Sequence, residues 1–444
     1  MTSELRSREE LLAIADGVLE RAPAGAEAEV TVTESSTALT RYANGGIHQN
    51  VADRTLRLRL RLVRDGRSGV AEMQVAGVDG AASLVETAEA IRSHSPQGDP
   101  VHILTPDGGA DDESGYSDAT VAVTPEDRAD RVAAVCAAAA ARGQRAYGTC
   151  ETVATTVAMV STAGLRRAAR HSVAELIAVC RGDDGSAYGA RHAADAGAID
   201  AGALADEVTE RCSRNQGAQP VDPGTYQVVL SPYAVAEMLE YLGLIGLGGL
   251  SVLEQRSFMR FGERLMSKSV TLTDDVRLPE LAPVPFDGEG ATTRPVTIID
   301  AGVCNAVVHD SVTAKRAGVA TTGHSFPQPN SDGPLPHYLC LAPGDADPES
   351  MIVACDHGLL VTRFWYVRPV HPLATIITGM TRDGTFLIEK GHVVRPVRDL
   401  RFTQSIVDAL SDVRAIGSER LASRGYFGAT LAPWLHLGRF TFSS

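Results

Sequence analysis

The sequence feature that most constrains the fold is a strict alternation of leucine and arginine over residues 56–62. Because successive side chains of a β-strand point to opposite faces, this segment places four leucines on one face of a sheet and three arginines on the other. A strand that is half buried in this way is typical of antiparallel sheets. The arginine face could bind an anion or nucleic acid, but we expect a solvated sheet face paired with acidic side chains of neighbouring strands.

The rest of the first half combines helices with further strands. Apolar residues at helical spacing predict the helices, and period-two alternation or Val/Thr-rich runs predict the strands. The predicted helices cover residues 8–21, 79–94, 124–141 and 201–214, and the predicted strands cover 29–34, 39–42, 56–62, 70–75, 151–161 and 171–181. This order predicts an N-terminal α+β domain, residues 1–220, with an antiparallel sheet and helices.

The second half consists mostly of short strands. They are predicted at residues 226–230, 296–300, 303–309, 339–341, 359–367, 376–382, 385–389 and 392–394, with helices at 233–244 and 347–355. Turn dipeptides such as Asp383-Gly384 indicate hairpins. We therefore expect a C-terminal β-rich domain, residues 221–444, with a central helix.

Composition excludes several classes of function. The net charge of −14 argues against binding to nucleic acid or to an anionic membrane. The first residues lack the apolar segment of a secretory signal, and no apolar run approaches the roughly 20 residues that span a bilayer. Seven cysteines without a CxxC pair indicate reduced structural thiols. We expect a cytoplasmic protein.

Familiar catalytic motifs are absent from the sequence. It contains no GxxxxGK[ST], no GxSxG, no HExxH and no GxGxxG after a strand. The histidines around Cys355 and His357 do not have the spacing of a common zinc site, so we interpret them as loop and surface residues. Spacing alone does not decide against a Ser–His or Cys–His hydrolase, whose partners are distant in sequence.

Several blocks nevertheless follow one another in a familiar order. They are Thr-Arg-Tyr-Ala-Asn at 40–44, Asp-Gly-Arg-Ser-Gly at 65–69, Val-Val-Leu-Ser-Pro at 228–232, Phe-Asp-Gly-Glu-Gly at 286–290, Gly-Val-Ala-Thr-Thr-Gly at 318–323 and Thr-Gly-Met-Thr-Arg-Asp-Gly-Thr-Phe at 378–386. In order and spacing they resemble the TldD/PmbA family, sometimes labelled modulators of DNA gyrase. The resemblance covers nearly the whole chain.

The resemblance implies two branches that pair as a heterodimeric metallopeptidase. The TldD-like branch carries HExxxH on the helix after the Val-Val-Leu strand, together with a later cysteine, as a zinc site. Here that motif falls on Leu239, Glu240 and Leu244, there is no histidine from 221 to 300, and no cysteine follows Cys355. The chain therefore resembles the TldE/PmbA-like branch, which has no catalytic residue and no metal of its own. Glu240 is expected to be a surface or interface carboxylate.

Two segments are candidates for contact with a substrate or partner. Residues 362–368 are rich in aromatic and arginine side chains, which are favoured at interfaces. We expect them to line a cavity shared with a partner, although an ordinary barrel wall with one buried aromatic face explains them equally well. The candidates are Arg363, Trp365, Tyr366 and Arg368, with Arg382 from a later strand and His324 from a loop expected to be mobile.

The resemblance implies a role as the subunit that completes the substrate chamber of a zinc-binding TldD-like partner. The substrates would be short, unfolded or leader peptides, including precursors of peptide natural products. A homodimeric peptide-binding or scaffold protein is the alternative, as is a subunit of an enzyme that tailors peptide natural products. The sequence does not decide whether the isolated chain forms a homodimer or whether gyrase is involved.

Overall fold

The computed structural model describes residues 5–75, 80–98, 100–109 and 113–443. It is an α+β protein with one antiparallel sheet in the first half of the chain and a larger mixed sheet in the second half, which confirms the predicted fold class. The predicted helix start at Asp79 lies outside the described residues. Within the residues covered, no helix is long and apolar enough to cross a membrane.

The first sheet joins six strands of the described chain in the order β3-β2-β1-β4-β5-β6. They are β1 (Glu27–Ala43), β2 (Gly46–Arg64), β3 (Arg67–Val75), β4 (Arg145–Ser161), β5 (Arg166–Arg181) and β6 (Ser186–Ala193). The helices of this half are α1 (Arg8–Leu19), α2 (Ala81–His94), α3 (Asp118–Val121), α4 (Pro125–Ala141) and α5 (Ala201–Arg214). The segments predicted as two strands at 29–34 and 39–42 form the single strand β1.

The leucine–arginine alternation of β2 behaves as predicted on one face only. Its four leucines are buried in the core beneath α1 and α2. On the other face, Arg61 pairs with Glu29 at 3.2 Å, as expected for cross-strand pairing. The prediction of a solvated face is wrong for Arg61, which is 1% exposed because the segment around Val101 covers it and accepts its hydrogen bond.

The second sheet contains thirteen strands of the described chain. They are β7 (Gly224–Leu230), β8 (Leu272–Asp274), β9 (Val296–Asp300), β10 (Val303–Cys304), β11 (Tyr338–Leu341), β12 (His357–Val361), β13 (Phe364–His371), β14 (Ile376–Thr381), β15 (Thr385–Glu389), β16 (His392–Pro396), β17 (Arg401–Ser405), β18 (Val413–Arg424) and β19 (Ala429–Ser443). The helices are α6 (Pro232–Gly246), α7 (Gly249–Leu253), α8 (Ser311–Ala317), α9 (Pro348–Val353) and α10 (Ile406–Ser411).

The predicted strand at 359–367 is in fact two strands. The break falls at Thr362 and Arg363, between β12 and β13. The hydroxyl of Thr362 donates a hydrogen bond to the carbonyl of Gly384 at 2.8 Å, which ties the break to the turn between β14 and β15. β13 then pairs only with β14 among the described strands and is separated from β12. This break brings the side chains of β13 to the functional cavity described below.

Helix α6 is the central helix that was predicted at 233–244. It packs against β19 and β13, and most of its side chains are buried. A helix that is apolar on nearly all sides is expected to lie inside a domain rather than on its surface. Its polar exceptions, Glu237 and Glu240, are only partly buried, and both face one cavity.

Candidate functional site

A cavity of about 490 Å³ opens between the first sheet and the C-terminal half of the chain. Its walls come from α6, from the start of β13, from the end of β18 with the loop that follows it, and from β5 and β6. Ligand sites are frequently found in pockets of this size at the boundary between two structural units. The lining mixes carboxylates, guanidinium groups and aromatic rings, so it offers both charge and stacking to a ligand.

The α6 wall contains one of the three predicted positions of the degenerate metal motif. The residues of this helix that line the cavity include Ala236, Glu237, Glu240 and Tyr241, which fall within an arc of about 140° on a helix with 3.6 residues per turn. Leu239 lies outside that arc and is fully buried in the core. Ala236, Glu237 and Tyr241 have the same HExxxH spacing on the cavity side, three residues earlier, and the position of the motif at Leu239, Glu240 and Leu244 stays a prediction.

Of the other two predicted motif positions, Glu240 lines the cavity and Leu244 lies beside it. Leu244 is on the same face of α6 as Glu237 but about two turns farther along, where it lines a smaller pocket together with Glu240 and His337. Glu240 accepts hydrogen bonds from the backbone amides of Tyr426 and Phe427. It therefore holds the loop after β18 in place, and it is a partly buried carboxylate rather than a surface one.

The β13 wall departs from the alternation of a regular strand. Its register with β14 shifts between Trp365 and Arg368, and Tyr366 has a positive φ of 55°. This bulge places Trp365, Tyr366 and Arg368 at the same cavity, although strict alternation assigned them to two faces. Tyr366 is 68% exposed at the rim, whereas Phe364 and Val367 point into the core.

Arg363 is fixed by contacts from both halves of the chain. Its guanidinium donates to the carboxylate of Asp383 at 2.9 Å and lies 3.7 Å from the ring centroid of Tyr188 and 4.8 Å from that of Trp365. The hydroxyl of Ser186 donates to the same carboxylate at 2.7 Å. Arg363 is therefore a structural cation that joins β6 to the cavity wall.

Arg382 does not line the cavity. Its guanidinium lies 4.8 Å from the ring centroid of Trp365, and half of its side chain is exposed. It supports the outer side of the wall that Trp365 forms.

The carboxylates of the cavity are held in a poorly solvated environment. Burial raises the pKa of Glu237 to about 7, against the opposing effect of Arg363. Burial also raises the pKa of Glu240 and of Glu175. For Glu175 the guanidinium of Arg424, 3.7 Å away, opposes the rise in pKa. Glu237 therefore holds its proton more tightly at neutral pH than a solvated glutamate does.

The structure does not bring His324 to this cavity. Its imidazole is fully buried, with Nε2 2.9 Å from the carboxylate of Asp274 and Nδ1 2.9 Å from the carbonyl of Thr322. A side chain with no exposed surface cannot line a substrate cavity, so the expectation of a substrate-contacting residue on a mobile loop is corrected.

Several lining residues were not predicted from the sequence, among them five that carry a charge or an aromatic ring. Glu237 could have been found from its spacing, because it lies three residues before Glu240 on the same helix. The others come from segments far apart in sequence and carried no local signal. They are Glu175, Tyr188, Arg424 and Tyr426.

The donor set of the cavity does not fit zinc. The lining offers three glutamates and no imidazole or thiolate, and three arginines share the same space. Neither Leu239 and Leu244, the predicted motif positions, nor Ala236 and Tyr241, which have the same spacing at the cavity, can offer an imidazole. Across the described residues, no group of three or more His, Cys, Asp or Glu side chains could hold a metal ion. The chemistry that this chain offers is therefore binding by charge and aromatic contact.

Residues 223–444 match the family described as the PmbA/TldA metallopeptidase C-terminal domain. The chain belongs to the PmbA/TldD family. It is 24% identical over 232 residues to a metalloprotease of Methanothermobacter thermautotrophicus, which covers 49% of this chain and 48% of that protein. It is 25% identical over 182 residues to the metalloprotease PmbA of Escherichia coli O157:H7, which covers 40% and 38%. The matched segments thus span half or less of these relatives.

Solved structures of PmbA/TldD proteins share the fold over nearly the whole chain. TldE from Thermococcus kodakarensis superimposes with a TM-score of 0.85 at 18% identity and covers 98% of this chain and 99% of its own. A protein from Thermotoga maritima described as a modulator of a DNA gyrase gives a TM-score of 0.83 at 18% identity, again over 98% and 99%. The predicted family is confirmed, and the likeness to these structures extends to the fold.

Proposed function

We propose that this chain is the TldE/PmbA-like subunit of a two-subunit peptidase in which a TldD-like partner holds the zinc. The observation that carries the proposal is the α6 face of the cavity. It keeps a glutamate, Glu237, between Ala236 and Tyr241, which cannot act as imidazole ligands. A chain with this family's fold and without its metal ligands contributes binding surface rather than catalysis, so the role proposed is to complete the chamber that encloses the peptide.

The rim of the cavity supports association with a partner. Trp365, Tyr366 and Tyr426 are 40%, 68% and 83% exposed. Val370 and Leu373 extend the exposed apolar surface along and beyond the same strand. Large aromatic side chains that stay exposed are favoured anchors at protein interfaces. We propose this rim as part of the surface that meets the partner.

The composition of the cavity supports a peptide as the substrate. Aromatic rings and both signs of charge suit a ligand with apolar side chains and charged ends. All seven cysteines are free, which supports a reducing compartment such as the cytoplasm. The substrates proposed are short, unfolded or leader peptides, and neither nucleic acid nor a membrane is involved.

The test is to purify the chain alone and together with an HExxxH-bearing family member from the same organism. Zinc content by mass spectrometry and cleavage of an unstructured peptide are measured for each sample. We expect zinc and cleavage only where the partner is present, and faster cleavage in the mixture than with the partner alone. Near-stoichiometric zinc and cleavage by the isolated chain would contradict the proposal.

The rim is tested with Tyr366→Ala and Tyr426→Ala in the same mixture. Loss of an aromatic anchor is expected to weaken association at least about tenfold. Val353→Ala removes a comparably exposed apolar side chain on α9 and serves as the control. The result could also be that the isolated chain forms a homodimer and binds peptide but does not associate with any HExxxH protein. That result would support a scaffold protein or a subunit of a tailoring enzyme instead.

A further inference from the structure

Among the described residues, two opposite charges of the cavity, Arg368 and Glu237, have no ion-pair partner; Glu240 has none either, but its carboxylate accepts hydrogen bonds from the backbone amides of Tyr426 and Phe427. Arg363 pairs with Asp383 at 2.9 Å and Arg424 pairs with Glu151 at 2.7 Å. Two of the three cavity arginines are therefore paired with carboxylates that do not line the cavity. The third, Arg368, is more than 4.0 Å from any described carboxylate. Glu237 likewise has no guanidinium within that distance. Both side chains line the cavity.

Arg368 is held in an orientation that leaves it available to a ligand. Its guanidinium donates to the hydroxyl of Tyr241 at 3.1 Å and to the carbonyl of Val367 at 2.6 Å. It also lies 4.6 Å from the ring centroid of Tyr366. These neutral contacts fix the cation without neutralising it. A planar guanidinium that is held in this way is well suited to bind a carboxylate with two hydrogen bonds.

Glu237 is the matching site for a cation. It receives one hydrogen bond, from the backbone amide of Val367 at the bulge of β13. A mostly buried carboxylate that receives only one hydrogen bond is unfavourable in its charged form, because this bond does not replace the water it has lost. Binding of a cation removes that cost. Glu237 and Tyr241 are four residues apart on α6 and are therefore neighbours on one face. Since Tyr241 holds Arg368, the two unpaired charges face the same space.

We propose that Glu237 and Arg368 bind the two charged ends of a short unblocked peptide, with its ammonium group at Glu237 and its terminal carboxylate at Arg368. The proposal rests on the peptide-binding role given above and names the feature of the peptide that this chain recognises. The rings of Trp365 and Tyr366 lie beside the bound chain, and Arg368, which is exposed, meets the carboxylate at the open side of the cavity.

The probe is tri-alanine in four forms: unblocked, N-acetylated, C-amidated and blocked at both ends. Binding to the full chain is followed by the fluorescence of Trp365, one of two tryptophans in the sequence, and Trp365→Phe identifies its share of the signal. Calorimetry provides a second measurement that does not depend on this residue. Because each end makes a charge-assisted contact, either block is expected to weaken binding about 10- to 100-fold.

The variants assign each end to its residue. In Glu237→Gln, acetylation is expected to make no further difference, while amidation still weakens binding. In Arg368→Gln, amidation is expected to make no further difference, while acetylation still weakens binding. Glu210→Gln and Arg439→Gln remove the same charges from exposed positions outside the cavity and should keep the wild-type pattern. Equal binding of all four forms to the wild type, or a pattern that neither variant changes, would overturn the inference.

This test is separate from the test of the proposed function. If the mixture with the partner cleaves peptide while all four forms of tri-alanine bind alike, the inference fails and the proposed function stands. If the blocked and unblocked forms differ as described but no HExxxH protein associates with the chain, the proposed function fails and the inference stands.

Discussion

Glu237→Gln should stabilise the protein at alkaline pH and leave it unchanged at acidic pH. In the folded chain the pKa of Glu237 is raised from 4.5 to about 7, mainly by burial. Arg363, just before β13, and Arg368 on β13 oppose this rise in pKa, whereas Glu240 on α6 adds to it. The folded state therefore binds the proton more tightly than the unfolded state does. Stability from this group is fully present below about pH 4.5 and is lost as the pH rises through 7.

The size of the effect follows from the shift in pKa. A rise from 4.5 to about 7, at about 1.4 kcal/mol per unit, corresponds to about 3 kcal/mol at most. Glu237 keeps some contact with solvent, so we expect about 1–2 kcal/mol. For a unit the size of residues 223–444, 1 kcal/mol changes Tm by about 2–4 °C. The variant should therefore melt about 2–8 °C above the wild type at pH 8.

The assay is thermal unfolding of wild type and variant, followed by circular dichroism, in steps from pH 4.5 to pH 8. The difference in Tm should be near zero at pH 4.5, where both side chains are neutral, and should grow through pH 6 and 7. Glu210→Gln removes an exposed carboxylate on α5 and serves as the control. Its change in Tm shows the effect of losing one negative charge without any change in a buried group. A variant that melts below the wild type at pH 8 would refute the reasoning, because Glu237 would then be a charged and well-paired group.

Four further substitutions test the geometry of the cavity. Arg363→Ala leaves the carboxylate of Asp383, 5% exposed, with only the more distant and half-exposed Arg382 as an ion-pair partner, and should destabilise the chain by about 3–5 kcal/mol in urea unfolding; Arg382→Ala should cost under about 1 kcal/mol. Leu239→His puts an imidazole into the core and should cost at least about 3 kcal/mol, or prevent folding. Leu244→His lies at an exposed position and should cost under about 1 kcal/mol, and equal costs for the two leucines would contradict the buried position of Leu239 and the exposed position of Leu244.

The parts of the fold that were predicted well have local signals. α4 begins at Pro125 as predicted, because Thr124 caps it and bonds to the amide of Asp127. β19 was not predicted, although it pairs with β7, β11, β17 and β18 and joins the second sheet together. It contains Pro433, and a proline argues against a central strand because it cannot donate a backbone hydrogen bond. The sheet accommodates it next to an irregular stretch of β18, which spacing along β19 does not reveal.

The structure brings four of the candidate residues to one cavity. Arg363, Trp365, Tyr366 and Arg368 were grouped from the sequence because aromatic and arginine side chains are dense in one short segment, and all four line the cavity. Their contact with a substrate or partner stays a prediction. Their arrangement was not predictable, since a bulge at Tyr366 replaces the period of two on which the assignment of faces depends. The residues opposite them come from β5, β6 and the loop after β18 and meet β13 only in the folded chain.

The position of the motif on α6 shows why a buried helix is hard to align. Where polar and apolar residues alternate at helical spacing, the pattern itself shows which face is exposed, but α6 is buried on nearly every side. The sequence places the degenerate motif on Leu239, Glu240 and Leu244, and burial alone does not show which face of α6 meets a ligand. In the folded chain Glu237 and Glu240 both line the cavity, and Glu240 also holds the loop at Tyr426. A carboxylate thus remains at the site after the metal ligands are gone, and with Arg368 it can bind a peptide end without a metal.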